Sequence, residues 1–248
     1  MSDVKQKVAI VTGAAKNIGR ATCIELAKLK FNIIIHANTD LQGAEETLSL
    51  VKKYGVEAQV IVGDLTEKHF VDTLISSSLK FGILSVLVNN ASQRNFVRFD
   101  DMNLEEWRKI LNINLDAVFL TCKNAIPIMK KNKWGRIINL GGLSAHIGAI
   151  GRAHVVTSKL AVVGLTRALT IEYADTGITV NCIVPGLIDT VRGGSAGAGL
   201  VHPSHSDPPL GRKGKPEEVA KMIGNLCDIN SDFVTGQTIH INGGSFFS

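Results

Sequence analysis

The residues best suited to chemistry sit directly behind a short apolar run. After KVAIVT (7–12), the segment TGAAKNIGRAT places Gly13 and Gly19 on either side of a tight turn that leads into an amphipathic stretch. A glycine-flanked turn feeding a helix brings backbone N–H groups to the positive end of the helix dipole, which is the chemistry of pyrophosphate binding. Other clusters are weaker. His202 and His205 have a metal-like spacing, but no third ligand accompanies them and HPSHSDPP reads as a turn-rich loop. Cys23, Cys122, Cys182 and Cys227 lie far apart in apolar contexts, so they read as small core residues rather than as a zinc site or a disulfide framework. Lys130, Lys131 and Lys133 fall where a long helix should end and read as a solvated last turn. Despite the net charge of +5, no aromatic interleaving or helix-turn-helix pattern accompanies them, and no nucleic-acid partner is expected.

Such groups need a scaffold, and hydrophobic periodicity describes one. Seven β-branched runs, KVAIVT (7–12), NIIIHA (32–37), AQVIVG (58–63), SVLVNN (85–90), RIINL (136–140), ITVNCIV (178–184) and QTIHI (237–241), alternate with helical patterns near 18–30, 41–54, 67–80, 104–131, 153–173 and 216–227. Near-continuous apolar strands joined by helices predict an α/β fold: a doubly wound, seven-stranded parallel sheet with helices on both faces, a Rossmann fold. A chain of 248 residues can form this as one domain, spanning 1–248. The stretch 191–214 is too rich in Gly and Pro for a regular element and is expected to be a mobile substrate lid. The opening MSDVKQKVAIVTG has no signal-peptide pattern, and no apolar run approaches the roughly 20 residues that span a bilayer, so a cytoplasmic protein without membrane contact is expected.

The glycine turn resembles the T-G-x-x-x-G-x-G fingerprint of the short-chain dehydrogenase/reductase family, in the manner of its 3-oxoacyl-acyl-carrier-protein reductases. It is matched by Thr12, Gly13, Asn17 and Gly19, with Asn17 at the middle glycine, and Asn tolerates the left-handed backbone that such a turn requires. Asp64, NNAS (89–92), Asn114, Lys159, PGLIDT (185–190) and GRKGKPEEVA…TGQTIHINGG follow in the family's order along nearly the whole chain. The resemblance implies that Gly13, Lys16, Asn17, Ile18 and Gly19 hold the phosphates and that Asp64 and Leu65 hold the adenine. It implies further that Asn90 and Ala91 line the dinucleotide, that Lys159 binds the nicotinamide ribose, and that Pro185, Gly186, Ile188 and Thr190 frame the nicotinamide. Alignment puts Ala37 where NAD enzymes carry an acid, with Asn38 next. Without that carboxylate, and with Lys16 at a position often basic in NADP-using relatives, NADP(H) is favoured over NAD(H), although Asp40 argues the other way.

The family also places a tyrosine four residues before the lysine and a serine thirteen before the tyrosine. Counting from Lys159 reaches Val155 and Gly142. Neither side chain donates a hydrogen bond, while Asn114 and Lys159, implied to serve the water relay and the ribose, remain as the catalytic candidates. Loss of a general acid removes roughly 10²–10⁴ in rate and loss of an oxyanion donor ~10²–10³, in overlapping terms. Ser144 and His146, expected on the loop after the fifth strand, are substitute donors. His154 is expected at the surface or an interface, since one residue along a helix turns it about 100° from Val155. Two readings stand: an NADP(H)-dependent oxidoreductase with an atypical site, acting on a small carbonyl, imine or enone, or an NADP(H)-binding pseudoenzyme or scaffold without turnover. The resemblance implies a homotetramer built on 104–131, 153–173 and the terminal GGSFFS.

Overall fold

The computed structural model describes residues 6–191 and 208–247. Seven strands, β1 (Lys7–Val11), β2 (Asn32–Ala37), β3 (Ala58–Val62), β4 (Ile83–Asn89), β5 (Gly135–Leu140), β6 (Ile178–Pro185) and β7 (Thr238–Ile241), form one sheet in the order β3-β2-β1-β4-β5-β6-β7. Every pairing is parallel. The order reverses between β1 and β4, and it is outside the C-terminal ends of strands at such a switch point that open α/β sheets bind ligands.

Alternation along the strands divides the core in two. Ala9, Val11, Ile33, Ile35, Val86 and Val88 pack with Cys23 and Leu26 of α1 (Asn17–Lys28), Val51 of α2 (Leu41–Lys52) and Ile223 of α8 (Pro216–Cys227). Val8, Ile10, Ile34, Leu84 and Leu87 pack with Leu74 of α3 (Lys68–Ser78), Val118 and Cys122 of α5 (Ala117–Lys131), and Val162 of α7 (Ala153–Glu172). Successive residues face opposite sides, so the inner strands β2, β1, β4, β5 and β6 are buried on both faces, as their uninterrupted apolar runs require, while the edge strands β3 and β7 are only partly covered. All four cysteines are free and buried.

The expected continuous helix 104–131 is interrupted. α4 (Leu104–Leu111) passes through a π-helical turn at Asn112–Asp116 before α5 begins. The cause is Asn114, fully buried, whose Oδ1 accepts from the backbone N–H of Gln93 at 2.9 Å and whose Nδ2 donates to the Gln93 carbonyl at 3.0 Å. Drawing this side chain into the loop after β4 widens the helix by one residue, and such turns recur at functional sites. The loop expected after β5 also contains a single helical turn, α6 (Ser144–Ile147). Of the expected lid, Val191 and 208–214 are described, whereas 192–207, including His202 and His205, lie outside the described residues. Among the described residues no helix is long and apolar enough to cross a membrane.

Candidate active site

The end of β1 is knotted to the end of β4. Thr12 Oγ1 accepts from the backbone N–H groups of Asn90 and Ala91, each at 3.0 Å, and donates to the Val88 carbonyl at 3.3 Å, which exhausts its capacity. Asn90 returns the contact, its Nδ2 donating to the carbonyls of Thr12 and Gly13 at 2.9 Å. Gly13 turns with φ +63°, and a Cβ there would lie 2.8 Å from Ala91 Cα, while a Cβ on Gly19 would collide with the Gly13 carbonyl. Asn17 adopts φ +53°, the left-handed conformation expected of it. α1 then starts with neither a side-chain cap nor an acid in its first turn. Its leading N–H groups are therefore left for an external anion, and the turn fits the diphosphate of a dinucleotide.

One residue that holds this turn escapes the sequence reading. His36, 1% exposed at the end of β2, accepts from Gly13 N–H through Nδ1 at 3.2 Å, while its own carbonyl accepts from Ala14 N–H at 2.7 Å. Its Nε2 lies 2.9 Å from the Gly63 carbonyl. A carbonyl only accepts, so Nε2 carries the proton and Nδ1 presents its lone pair: the ring works as the neutral Nε2–H tautomer. Burial holds its pKa below the usual histidine range, partly opposed by the Gly63 carbonyl and Asp64. The available signal was a histidine interrupting an apolar strand one residue before the position that selects the cofactor.

At the adenosine end, Ala37 is buried and Asn38 is exposed. Lys16 Nζ lies 3.9 Å from Asp40 Oδ2 with both side chains about half-exposed, and Asp40 Oδ1 also caps α2 by accepting from Gly43 N–H at 3.0 Å. Asp64 Oδ1 accepts from the backbone N–H and hydroxyl of Thr66, each at 2.8 Å, and Leu65 beside it is buried.

At the other end, Lys159 is 4% exposed and its Nζ donates to the Leu140 carbonyl at 2.7 Å. Burial brings its pKa down to about 8, helped by the charge of Arg94 and opposed by Cys182. Val155, also buried, precedes it by one helical turn, and a Cβ on Gly142 would point at Lys159 Cγ from 3.8 Å. Gly142, Val155 and Lys159 thus converge. Asn114 is spent on positioning: besides clamping Gln93, its Nδ2 donates to Ser158 Oγ at 3.2 Å, and Ser158 donates to the Val155 carbonyl at 2.9 Å. The Pro185–Thr190 segment is fastened from both sides. Gly186 N–H donates to Ile241 at 2.9 Å, Asp189 N–H to Gly214 at 2.8 Å, and Ile188 is 5% exposed. Thr190 Oγ1 is 3.4 Å from the Ile188 carbonyl.

The substitute donors are disposed differently. His146 packs edge-on against His240, ring centres 4.6 Å apart, and at a tilt against Phe246 at 5.4 Å, with its Nε2 buried and unpaired, so its ring is committed to the C-terminal segment, and Ser144 begins the α6 turn. The surface position expected for His154 is corrected. It is fully buried with Nε2 4.0 Å from Glu106 Oε1, because this face of α7 packs on α4.

A parallel sheet with its switch point at β1/β4, a glycine turn opening onto an uncapped helix and a buried lysine on α7 define an α/β protein of the Rossmann type. The model for the family described as enoyl-(acyl carrier protein) reductase matches residues 13–245. The chain is 33% identical to a 3-oxoacyl-[acyl-carrier-protein] reductase of Aquifex aeolicus over 97% of each chain, and 35% identical to one of Pseudomonas aeruginosa over 98% of each. Among solved structures, the acetoin dehydrogenase of Salmonella typhimurium superposes with a TM-score of 0.87 at 32% identity, covering 96% of this chain and 95% of that one. The chain belongs to the short-chain dehydrogenase/reductase family of oxidoreductases.

His36 makes the turn sensitive to acid. Its folded pKa lies below its unfolded value of about 6.5, so the stability it contributes is complete above that value and is lost as pH falls through the folded pKa. Protonation would set N–H against the N–H of Gly13. His36→Asn, whose amide oxygen can replace Nδ1 without titrating, should lose less melting temperature than the parent between pH 7.5 and 5.5 in scanning fluorimetry. Equal losses would show that the Gly13 contact does not depend on the neutral ring.

Proposed function

We propose that this chain is an NADP(H)-dependent oxidoreductase whose active site lacks the serine and tyrosine of its family, with Gly142 and Val155 in their positions. The observation that carries this is the convergence of Gly142, Val155 and Lys159 beside a turn suited to a diphosphate. The backbone of the Gly13–Gly19 turn, through Asn17 and Ile18, holds the phosphates; Lys16 and Asn38 meet the 2′-phosphate end; Asp64 and Leu65 bracket the adenine; Asn90 and Ala91 line the middle. Lys159 takes the nicotinamide ribose, and Pro185, Gly186, Ile188 and Thr190 wall the nicotinamide. The bound cofactor supplies or accepts hydride. Lys159, buried and donating to the Leu140 carbonyl, supplies positive charge. A positive charge there favours a substrate whose oxygen gains negative charge, a carbonyl or enone, over an iminium ion. A second reading, a cofactor-binding protein without turnover, is supported by the same missing hydroxyls.

NADPH should bind about tenfold more tightly than NADH, one charged contact to phosphate at the lower end of its range, after Lys16 exchanges Asp40 for the ligand. Fluorescence titration measures this. Equal affinities, or Lys16→Ala weakening both cofactors alike, would reject the assignment.

Apolar residues left in water on the long helices, Leu104, Phe119, Leu160 and Ile171, support the homotetramer. Light scattering at micromolar concentration should give a mass near four chains. A monomer would refute it.

Gly142→Ser with Val155→Tyr should rebuild the proton donor, since a Cβ at 142 meets only ordinary contact and position 155 lies one turn from the ammonium. Ketone reduction by the double variant should exceed the parent's by about 10². A parent that already reduces simple ketones at the double variant's rate would overturn the assignment of these positions, and so would a variant that binds NADPH normally without gaining activity.

A further inference from the structure

Asn17 does more than tolerate a left-handed turn. Its Nδ2 donates to the Val191 carbonyl at 2.8 Å and its Oδ1 accepts from the Val191 N–H at 2.9 Å, a two-way pairing between a side-chain amide and one residue's backbone. Asn17 belongs to the turn after β1, and Val191 follows β6 and the Pro185–Thr190 segment. Two strands, β4 and β5, lie between β1 and β6. At about 4.8 Å per strand, the backbones so joined rise from strands roughly 14 Å apart. The pairing therefore reaches across the C-terminal ends of β4 and β5, over the crevice where open α/β sheets hold their ligands. The family fingerprint has glycine at position 17, which has no side chain to make such a bridge. The Val191 end is anchored independently, because Asp189 N–H donates to Gly214 and Gly214 N–H donates back to Leu187, at 2.8 and 2.9 Å.

We propose that Asn17 is a cofactor-retaining residue: its carboxamide straps Val191 across the crevice, so that a bound dinucleotide lies beneath the strap and enters or leaves only when both hydrogen bonds open. The inference rests on the cofactor reading above and concerns its kinetics. A strap that must open for passage in either direction slows entry and exit together and changes the dissociation constant little. A direct contact between Asn17 and the cofactor would instead act on exit alone.

Stopped-flow fluorescence with NADPH and with NADH tests this on the full-length protein. Asn17→Gly suits the left-handed φ and leaves the turn intact, with folding checked by thermal melting. Association and dissociation rates should both rise about fivefold, as two hydrogen bonds at the low end of their net worth allow, with the dissociation constant within about twofold of the parent. Val191→Pro, which removes one donor, should accelerate both rates in the parent and add nothing in the Asn17→Gly background. Unchanged rates in Asn17→Gly would overturn the strap. So would a faster dissociation with unaltered association, or additive effects in the double variant. A parent that binds neither nucleotide would overturn the cofactor reading itself, a result distinct from any of these.

Discussion

The site depends on how closely the first turn can approach the end of β4. At the switch point two chain segments leave adjacent strands in opposite directions, and the Thr12 hydroxyl closes the gap by bonding three backbone groups at once. That proximity is compatible only with glycine at position 13, where a Cβ would collide with the backbone of Ala91. Once the turn is seated, His36 and Asn90 fasten it from below, and the unfastened N–H groups are those that open α1. Anion affinity is what remains after the rest of the turn's hydrogen bonds have been satisfied internally.

The catalytic end is organised around a buried cation. Lys159 loses solvation in its pocket and recovers part of it from the Leu140 carbonyl, which leaves an ammonium with a pKa near 8 rather than 10.5. The π-helical turn belongs to the same construction. Asn114 ties the loop after β4 to Ser158 on α7, so the loop bearing Arg94 and the helix bearing Lys159 are set by one side chain. This positioning apparatus surrounds positions 142 and 155, which carry glycine and valine.

Apolar periodicity was enough to determine seven parallel strands, their crossover helices and the location of the glycine turn, because burial on both faces leaves a continuous hydrophobic signature in the inner strands. Motif spacing likewise singled out Lys159, Asp64, Asn90 and the Pro185–Thr190 segment as candidates, and that positions 142 and 155 carry no hydroxyl is a matter of residue identity. Contacts between residues distant in the chain were not legible. The tautomer of His36 depends on Gly13 and Gly63, the break in the 104–131 helix on Gln93, and the burial of His154 on α4. Asn17 reads in sequence as a glycine substitute, and only the return of the chain after β6 gives its amide a partner 174 residues away. Periodicity reports which face of an element is buried; which polar atom meets which is decided when the sheet brings separate loops to one edge.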